Sequence, residues 1–428
     1  MKISIIGLGY VGLPLTVEFS KLYETVGYDV NAKRVSEIKA SEDINGDIEQ
    51  EMLSNLNAKI TDSVEDIADS DVFIVTVPTP IDENNNPDMA LLVSACETVG
   101  KYLNKDNIVI FESTVYPGTT EEICAPILEK KSGLTYINQS NIDSISNDGF
   151  YCGYSPERIN PGDKEHYLTD ILKITSGSTN EVAKRVDDLY KSIIIAGTYL
   201  AQSIKVAEAA KIIENTQRDV NIALVNELSI IFKKMNIDTK DVLDAADTKW
   251  NFSRFDPGLV GGHCIGVDPY YLAYKSIQVG HVPEMILSGR KINDGMSKVI
   301  GDQIEQLVEK QKKELSNSKI LIMGLAFKKD CKDLRNSKVF DLASILNDSG
   351  SSIEIYDPVI NQDDVEVSDS FAITQSPKKG FYDVVIIAVD HTIFFDMGID
   401  AIRDFGNDEL IIFDVKSVFP ADETTSRL

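Results

Sequence analysis

Two stretches of this chain carry residue types that could do chemistry together. One is the run Gly261-Gly262-His263-Cys264-Ile265-Gly266-Val267-Asp268-Pro269, a cysteine with small neighbours and a carboxylate one helical turn further on; the other is the loop Gly7-Leu8-Gly9-Tyr10-Val11-Gly12 near the start. A glycine loop of that spacing lets a dinucleotide pyrophosphate approach the backbone. A cysteine beside an oxidising cofactor can hold an aldehyde as a covalent thiohemiacetal and present it for a second oxidation. Together they point to a two-step dehydrogenase. An ordinary thiol has a pKa of about 8.5, so the site must lower it or take its proton.

The elements around the glycine loop fit that role. Lys2 to Gly7 reads as an apolar strand, Leu13 to Leu22 as an amphipathic helix, and Asp29 ends the next apolar run, Thr25 to Val30, about 20 positions beyond the loop. An acidic residue there would hold the ribose 2'-hydroxyl and repel a 2'-phosphate, which favours NAD over NADP. Gly7, Gly9, Tyr10, Val11, Gly12 and Asp29 are therefore the expected cofactor residues, with Arg34 set either against the adenosine half or in solvent. Further strands are expected at Asp71 to Val77 and Asn107 to Glu112, alternating with helical patterns as in a doubly wound parallel sheet. Ligands lie beyond the carboxyl ends of such strands, which puts Thr79 and Thr114 by the cofactor or substrate.

From about Ala201 to Asn236 the chain has few glycines and no proline, so a long helix is expected, with Lys211 and Asn215 one turn apart on one face. A second strand-glycine-helix pattern begins at Lys319 to Leu325, followed by strands at Ile353 to Tyr356, Val384 to Val389 and Leu410 to Phe413. Its loop, Gly324 to Asp330, lacks the full glycine fingerprint and carries Lys328 and Lys329, which suits a phosphate-bearing ligand other than NAD. The expected architecture is α/β, with two Rossmann-like doubly wound parallel sheets joined by a long central helix. Residues 1–200 would form the NAD-binding part, 201–300 a helical linker and dimerisation part carrying Lys211 and Cys264, and 301–428 the second sheet.

Composition narrows the partners. A net charge of -26, from 42 basic and 68 acidic residues, disfavours nucleic acid and anionic membranes. No apolar run approaches the roughly 20 residues of a membrane span, and Met1 to Gly7 already reads as strand instead of a secretion signal. Cys96, Cys124, Cys152, Cys264 and Cys331 are scattered without zinc spacing, and neither they nor His166, His281 and His391 suggest a metal. Free thiols fit the cytoplasm.

These motifs, from Met1 to about Phe419, resemble the UDP-glucose/GDP-mannose dehydrogenase family. More narrowly, the chain is similar to the bacterial UDP-N-acetyl-D-glucosamine/galactosamine 6-dehydrogenases of polysaccharide and O-antigen synthesis. Where the UDP-glucose branch has K-S-T-V-P, this chain has Glu112-Ser113-Thr114-Val115-Tyr116-Pro117, and where that branch has a lysine before the aspartate, it has Val267 before Asp268. The runs Tyr154 to Gly162 and Pro257 to Cys264 match the N-acetyl branch, although Asp256 stands where a basic residue is expected.

The resemblance implies that the sugar C6 alcohol is oxidised to an aldehyde, trapped by Cys264, oxidised again to a thioester and released as a uronic acid. Lys211 and Asn215 would steady the alkoxide and the tetrahedral oxyanion. Asp268 would be a base, Glu157 would serve thioester hydrolysis, and Thr114 would order the water. Lys328 would contact the substrate with Arg158 and Gly261, Arg335 would reach towards the cofactor, and His263 is expected to be structural. Gly261 and Gly262 would leave space for the sugar. A homodimer built on the long helix is expected. The rival within the family is a UDP-glucose 6-dehydrogenase; a two-electron hydroxyacid dehydrogenase would need no cysteine at all.

Overall fold

The computed structural model describes the whole chain except residues 44, 45, 47, 145–147, 159–166, 263, 363, 364, 366 and 367. It forms two compact units, Met1–Glu214 with Tyr270–His281, and Asn215–Pro269 with Val282–Leu428. The division falls inside the long helix Ile204–Met235. No helix among the described residues is long and apolar enough to cross a membrane.

The first unit is built on a seven-stranded sheet: β1 (Lys2–Ile6), β2 (Glu24–Tyr28), β3 (Ala58–Thr61), β4 (Val72–Val75), β5 (Ile108–Phe111), β6 (Thr135–Tyr136) and β7 (Gly149–Tyr154). Its order is β3-β2-β1-β4-β5-β7-β6, and every pairing is parallel. Because side chains alternate across a strand, Phe73, Val75, Val109 and Phe111 enter one apolar cluster while Ile3, Ile5, Ile74 and Ile110 enter another. Burial on both faces explains why these strands are almost wholly apolar. A two-stranded sheet, β8 (Lys173–Thr175) with β9 (Thr198–Leu200), completes the unit.

The second unit repeats the plan. Strands β10 (Lys319–Met323), β11 (Ser352–Tyr356), β12 (Ala372–Ile373), β13 (Tyr382–Ile387), β14 (Gly406–Asp414) and β15 (Ser426–Arg427) form a parallel sheet of order β12-β11-β10-β13-β14-β15. In each sheet the order reverses beside the strand that leads into a glycine turn, the position where such sheets bind ligands.

The two turns are built alike. Gly7 and Gly324 have φ of +97° and +92°, which glycine adopts without the clash a side chain would meet. The amide of Gly7 donates to Tyr28 O at 2.8 Å and that of Gly324 to Tyr356 O at 2.9 Å. The next amides, of Leu8 and Leu325, donate to Asp29 Oδ2 and Asp357 Oδ2, both at 2.7 Å. Each sheet thus anchors its turn to an aspartate at the end of the neighbouring strand.

The first turn is also the tighter one. A Cβ on Gly12 would stand 1.8 Å from Gly7 O and 2.5 Å from Thr76 Oγ1. Gly12→Ala is therefore expected to force the loop open, costing about 2–4 kcal/mol and most of the NAD affinity, as read by chemical denaturation and NAD titration; an unchanged denaturation midpoint would show that the contact is absent.

Candidate active site

The glycine loop offers what a pyrophosphate requires. Val11, at the start of the helix Gly12–Ser20, supplies no side-chain cap; Leu13 N donates to Gly9 O at 3.0 Å, Leu15 N to Val11 O at 3.3 Å, and Pro14 has no amide hydrogen, so in this turn it is the Gly12 amide that is offered to an anion. A Cβ built on Gly9 meets nothing within 4 Å, so the backbone there can be approached closely. Asp29 has each oxygen on one backbone amide, Leu8 N at 2.7 Å and Asn31 N at 2.8 Å, which leaves acceptor capacity for ribose hydroxyls. Arg34, expected either against the adenosine half or in solvent, is not solvated. It is buried, donates from Nε to Leu8 O at 2.9 Å and pairs with Asp43 at 2.8 Å, so its place is behind the loop as a brace. Thr79 Oγ1 donates to Thr114 O at 2.6 Å, tying together the loops after β4 and β5.

Cys264 is partly exposed, whereas the other four cysteines are buried. Burial pushes the Cys152 and Cys331 thiols up, away from the reactive thiolate. The carbonyl of Cys264 accepts from Asp268 N at 2.9 Å, starting the helix Asp268–Gln278 one turn after the thiol. Asp268 is itself buried and its Oδ2 accepts from Asn215 Nδ2 at 2.6 Å. Two residues expected at the site are thus directly bonded. His263 lies outside the described residues, as do Ile159 to Gly162 of the Tyr154 to Gly162 motif.

The expected role of Gly261 and Gly262 changes. A Cβ on Gly261 would stand 2.5 Å from Asn336 O, and one on Gly262, at φ +84°, would stand 2.7 Å from the Phe327 ring. The space beside these glycines is filled by the protein's own 327–336 segment, so close backbone packing, and not room for a sugar, is what demands them. Lys328 Nζ lies 5.5 Å from the Phe327 ring centre, in the same segment. Arg335 is half-exposed and ion-paired with Asp333 at 2.5 Å.

The long helix organises the rest, partly through Glu208, Asp219 and Asn226, which sequence reasoning passed over. Glu208, Lys211, Asn215, Asp219 and Asn226 fall on one face and are all buried. Glu208 accepts from the amides of Gly118 at 2.6 Å and Thr120 at 2.9 Å, and burial pushes its carboxyl up to about 7 despite those donors. Asp219 pairs with Arg290 at 2.6 Å and accepts from Asn293 at 2.7 Å. Asn226 clasps Gly258 at both ends, accepting from its amide at 2.8 Å and donating to its carbonyl at 3.1 Å. That clasp fixes the start of the run leading to Cys264. The signal that could have found these residues is their period, since they recur every three, four or seven positions.

In the first unit, Glu157 is buried. Its Oε2 meets Lys173 Nζ at 3.0 Å and its Oε1 accepts from the amide of Arg158. Arg158 pairs with Glu214 at 2.7 Å and reaches Lys211 O at 3.4 Å, both on the long helix.

An anion-ready glycine loop with an acidic partner, a partly exposed thiol beside an ordered carboxylate, and a second parallel sheet define an NAD-dependent dehydrogenase of the two-sheet α/β class. Comparison with known proteins narrows this. Residues 1–194 match the NAD binding domain of the UDP-glucose/GDP-mannose dehydrogenase family, 205–295 its central domain and 321–421 its UDP binding domain. The chain belongs to this family and is an NAD-dependent nucleotide-sugar dehydrogenase. It is 50% identical to a UDP-N-acetyl-D-glucosamine 6-dehydrogenase of Salmonella typhi and 49% identical to one of Pseudomonas aeruginosa, over 100% of this chain and 99% of each relative. Among solved structures it is similar to a UDP-D-ManNAc dehydrogenase from Pyrococcus horikoshii, with a TM-score of 0.86 and 30% identity over 100% of this chain and 98% of that one.

Glu208 gives a pH test. Its folded pKa, near 7, lies above the ordinary carboxylate value, so the stability it contributes is fully present at low pH and lost as pH rises to about 7. The stability difference, wild type minus Glu208→Gln, is expected to fall by about 2–3 kcal/mol between about pH 4.5 and 7 and then level off, as followed by urea denaturation. A difference constant with pH would place the Glu208 carboxyl in the ordinary range.

Proposed function

We propose that the chain oxidises the C6 hydroxyl of a UDP-N-acetylhexosamine, with GlcNAc or GalNAc as the sugar, to the uronic acid in two successive NAD-dependent steps through Cys264. The observation that carries this reading is the partly exposed Cys264, one turn before the buried Asp268 that Asn215 holds at 2.6 Å. The names of the two relatives, at 50% and 49% identity over the full chain, support an N-acetyl sugar. The three matched domains also favour division into a cofactor part, a central helical part and a UDP-binding part.

NAD, when bound, accepts one hydride from C6 in each oxidation. Lys211 offsets the charge that develops on O6 as its proton leaves, and Asn215 donates to the same oxygen in the tetrahedral species. Cys264 Sγ adds to the aldehyde carbon, forming the C–S bond of a thiohemiacetal as O6 regains a proton. Loss of the second hydride and of the O6 proton leaves a thioester. Water then adds at that carbon, giving its proton to Asp268 or Glu157, with Thr114 ordering it; the C–S bond breaks, sulfur recovers a proton and the uronic acid departs. The UDP would be held by Lys328 and its neighbours. The nucleotide-linked acid is an activated donor suited to surface polysaccharide assembly, and the five free cysteines suit the cytoplasm.

The long helix also supports a homodimer. Val206, Ile213, Leu224, Ile231 and Met235 are exposed, and at about 100° per residue they lie on the face opposite the buried polar residues. Leu224→Glu is expected to convert a dimer to a monomer by light scattering at micromolar concentration; a wild-type monomer would count against this interface.

The stoichiometry of NADH is the direct test of the chemistry. Two NADH per UDP-N-acetyl-D-glucosamine or its galacto epimer are expected, little from UDP-glucose, and loss of overall turnover in Cys264→Ser. One NADH per sugar, or near-normal turnover in Cys264→Ser, would mean a two-electron enzyme. Activity confined to UDP-glucose would overturn the sugar assignment alone.

A further inference from the structure

Among the described residues of the first unit Lys173 is the most deeply placed cation, 2% exposed on β8, and its ammonium bridges two carboxylates. Glu112, at the end of β5, takes it on Oε2 at 2.6 Å, and Glu157, after β7, takes it on Oε2 at 3.0 Å. Tyr190, on the helix Asn180–Lys191, donates its hydroxyl to the other oxygen of Glu112, and its ring centre lies 5.3 Å from Lys173 Nζ. All four side chains are buried. An ion cluster of this kind is poor evidence for stability, because desolvating the charges costs about as much as their attraction returns. What it does supply is direction. With Oε2 on Lys173 and Oε1 on the amide of Arg158, the Glu157 carboxylate is held from two sides and has little rotational freedom.

We propose that Lys173 is a positioning residue for thioester hydrolysis, holding the Glu157 carboxylate in the orientation in which it serves the attacking water, with Glu112 as the group that sets how much of the lysine's charge Glu157 receives. The inference rests on the reading that Glu157 acts in hydrolysis. The reaction it governs is thioester plus water giving free thiol and carboxylic acid: the water oxygen bonds to the acyl carbon, the C–S bond breaks and the water's proton reaches sulfur through the base. No electron transfer is involved, so both oxidations precede it. Burial pushes the Glu112 carboxyl up to about 7 even with Lys173 beside it, whereas for Lys173 the pull of burial is outweighed by the two carboxylates, which raise it. Below about pH 7 Glu112 therefore holds a proton and the ammonium faces Glu157 alone; above it the lysine is shared.

The test follows single turnovers of the intact enzyme with UDP-N-acetyl-D-glucosamine and NAD, reading NADH by stopped flow and the Cys264 adduct by intact mass. In Lys173→Met, a burst of two NADH per site is expected, followed by steady turnover about 10- to 100-fold slower than wild type, with thioester accumulated on the enzyme and little change in KM for either substrate. Glu157→Gln, run in parallel, is expected to accumulate the same adduct. Accumulation in Glu157→Gln but not in Lys173→Met overturns the positioning role while leaving Glu157 in place. Accumulation in neither overturns the hydrolytic role of Glu157, and the inference with it. Should Lys173→Met fail to fold, Glu112→Gln reads the same cluster by a property that packing alone does not move. The change in hydrolysis rate that the wild type shows across about pH 7 is expected to be absent in Glu112→Gln, and coincident pH profiles would overturn the proposal.

Discussion

The long helix is amphipathic in the reverse sense, and much of the structure follows from the partners this requires. A buried polar group without a partner costs about 1–3 kcal/mol, so a helix that turns Glu208, Lys211, Asn215, Asp219 and Asn226 inward obliges the surrounding chain to answer each one. Glu208 is met by the backbone at Gly118 and Thr120, Asn215 by Asp268, Asp219 by Arg290 and Asn293, and Asn226 by Gly258. The segments so recruited include the approach to the cysteine and the carboxylate that follows it. Site geometry and polar satisfaction are here the same requirement.

Much of the frame was legible in the sequence because it rests on local rules. The central strands β1, β4, β5, β10 and β13 are short apolar runs, of which β1 and β10 lead into glycine turns, and the long helix shows as a stretch with no proline and few glycines. The strands that escaped notice were β3, β6, β7, β8, β9, β12 and β15. Each is short or broken by polar residues, and β8 contains Lys173, a residue that in a strand reads as exposed at an edge. Its burial depends on Glu112 and Glu157, some 61 and 16 positions away, and no local pattern encodes such a pairing.

The site was legible where chemistry has its own signature and illegible where packing decides. Cys264 and Asp268 stood out as candidates by type and spacing, and Lys211 and Asn215 by the family resemblance. Arg34 and Gly261 were also singled out, but for reasons the structure replaces: one braces the glycine loop from behind, the other gives way to Asn336. Both lie beside the expected ligand positions in sequence, and it is tertiary packing that turns them to other uses. The second glycine turn shows the same divergence, since Asp357, the counterpart of Asp29, is also approached by the buried His391 at 3.1 Å. A carboxylate engaged in this way has less left to offer a ligand hydroxyl than Asp29 has.

Because Asn215, Asp219 and Asn226 share one buried face within the second unit, the helix also sets a rotational register there. One residue inserted between Asn215 and Asp219 would turn Asp219 and Asn226 by about 100° relative to Asn215, bringing the apolar face towards Arg290 and Gly258. Seven inserted residues would nearly restore the angle but displace the downstream half by about 10 Å along the axis. Neither change leaves both ends satisfied. The span from Asn215 to Asn226 therefore acts as a gauge within the second unit, its length and phase set together.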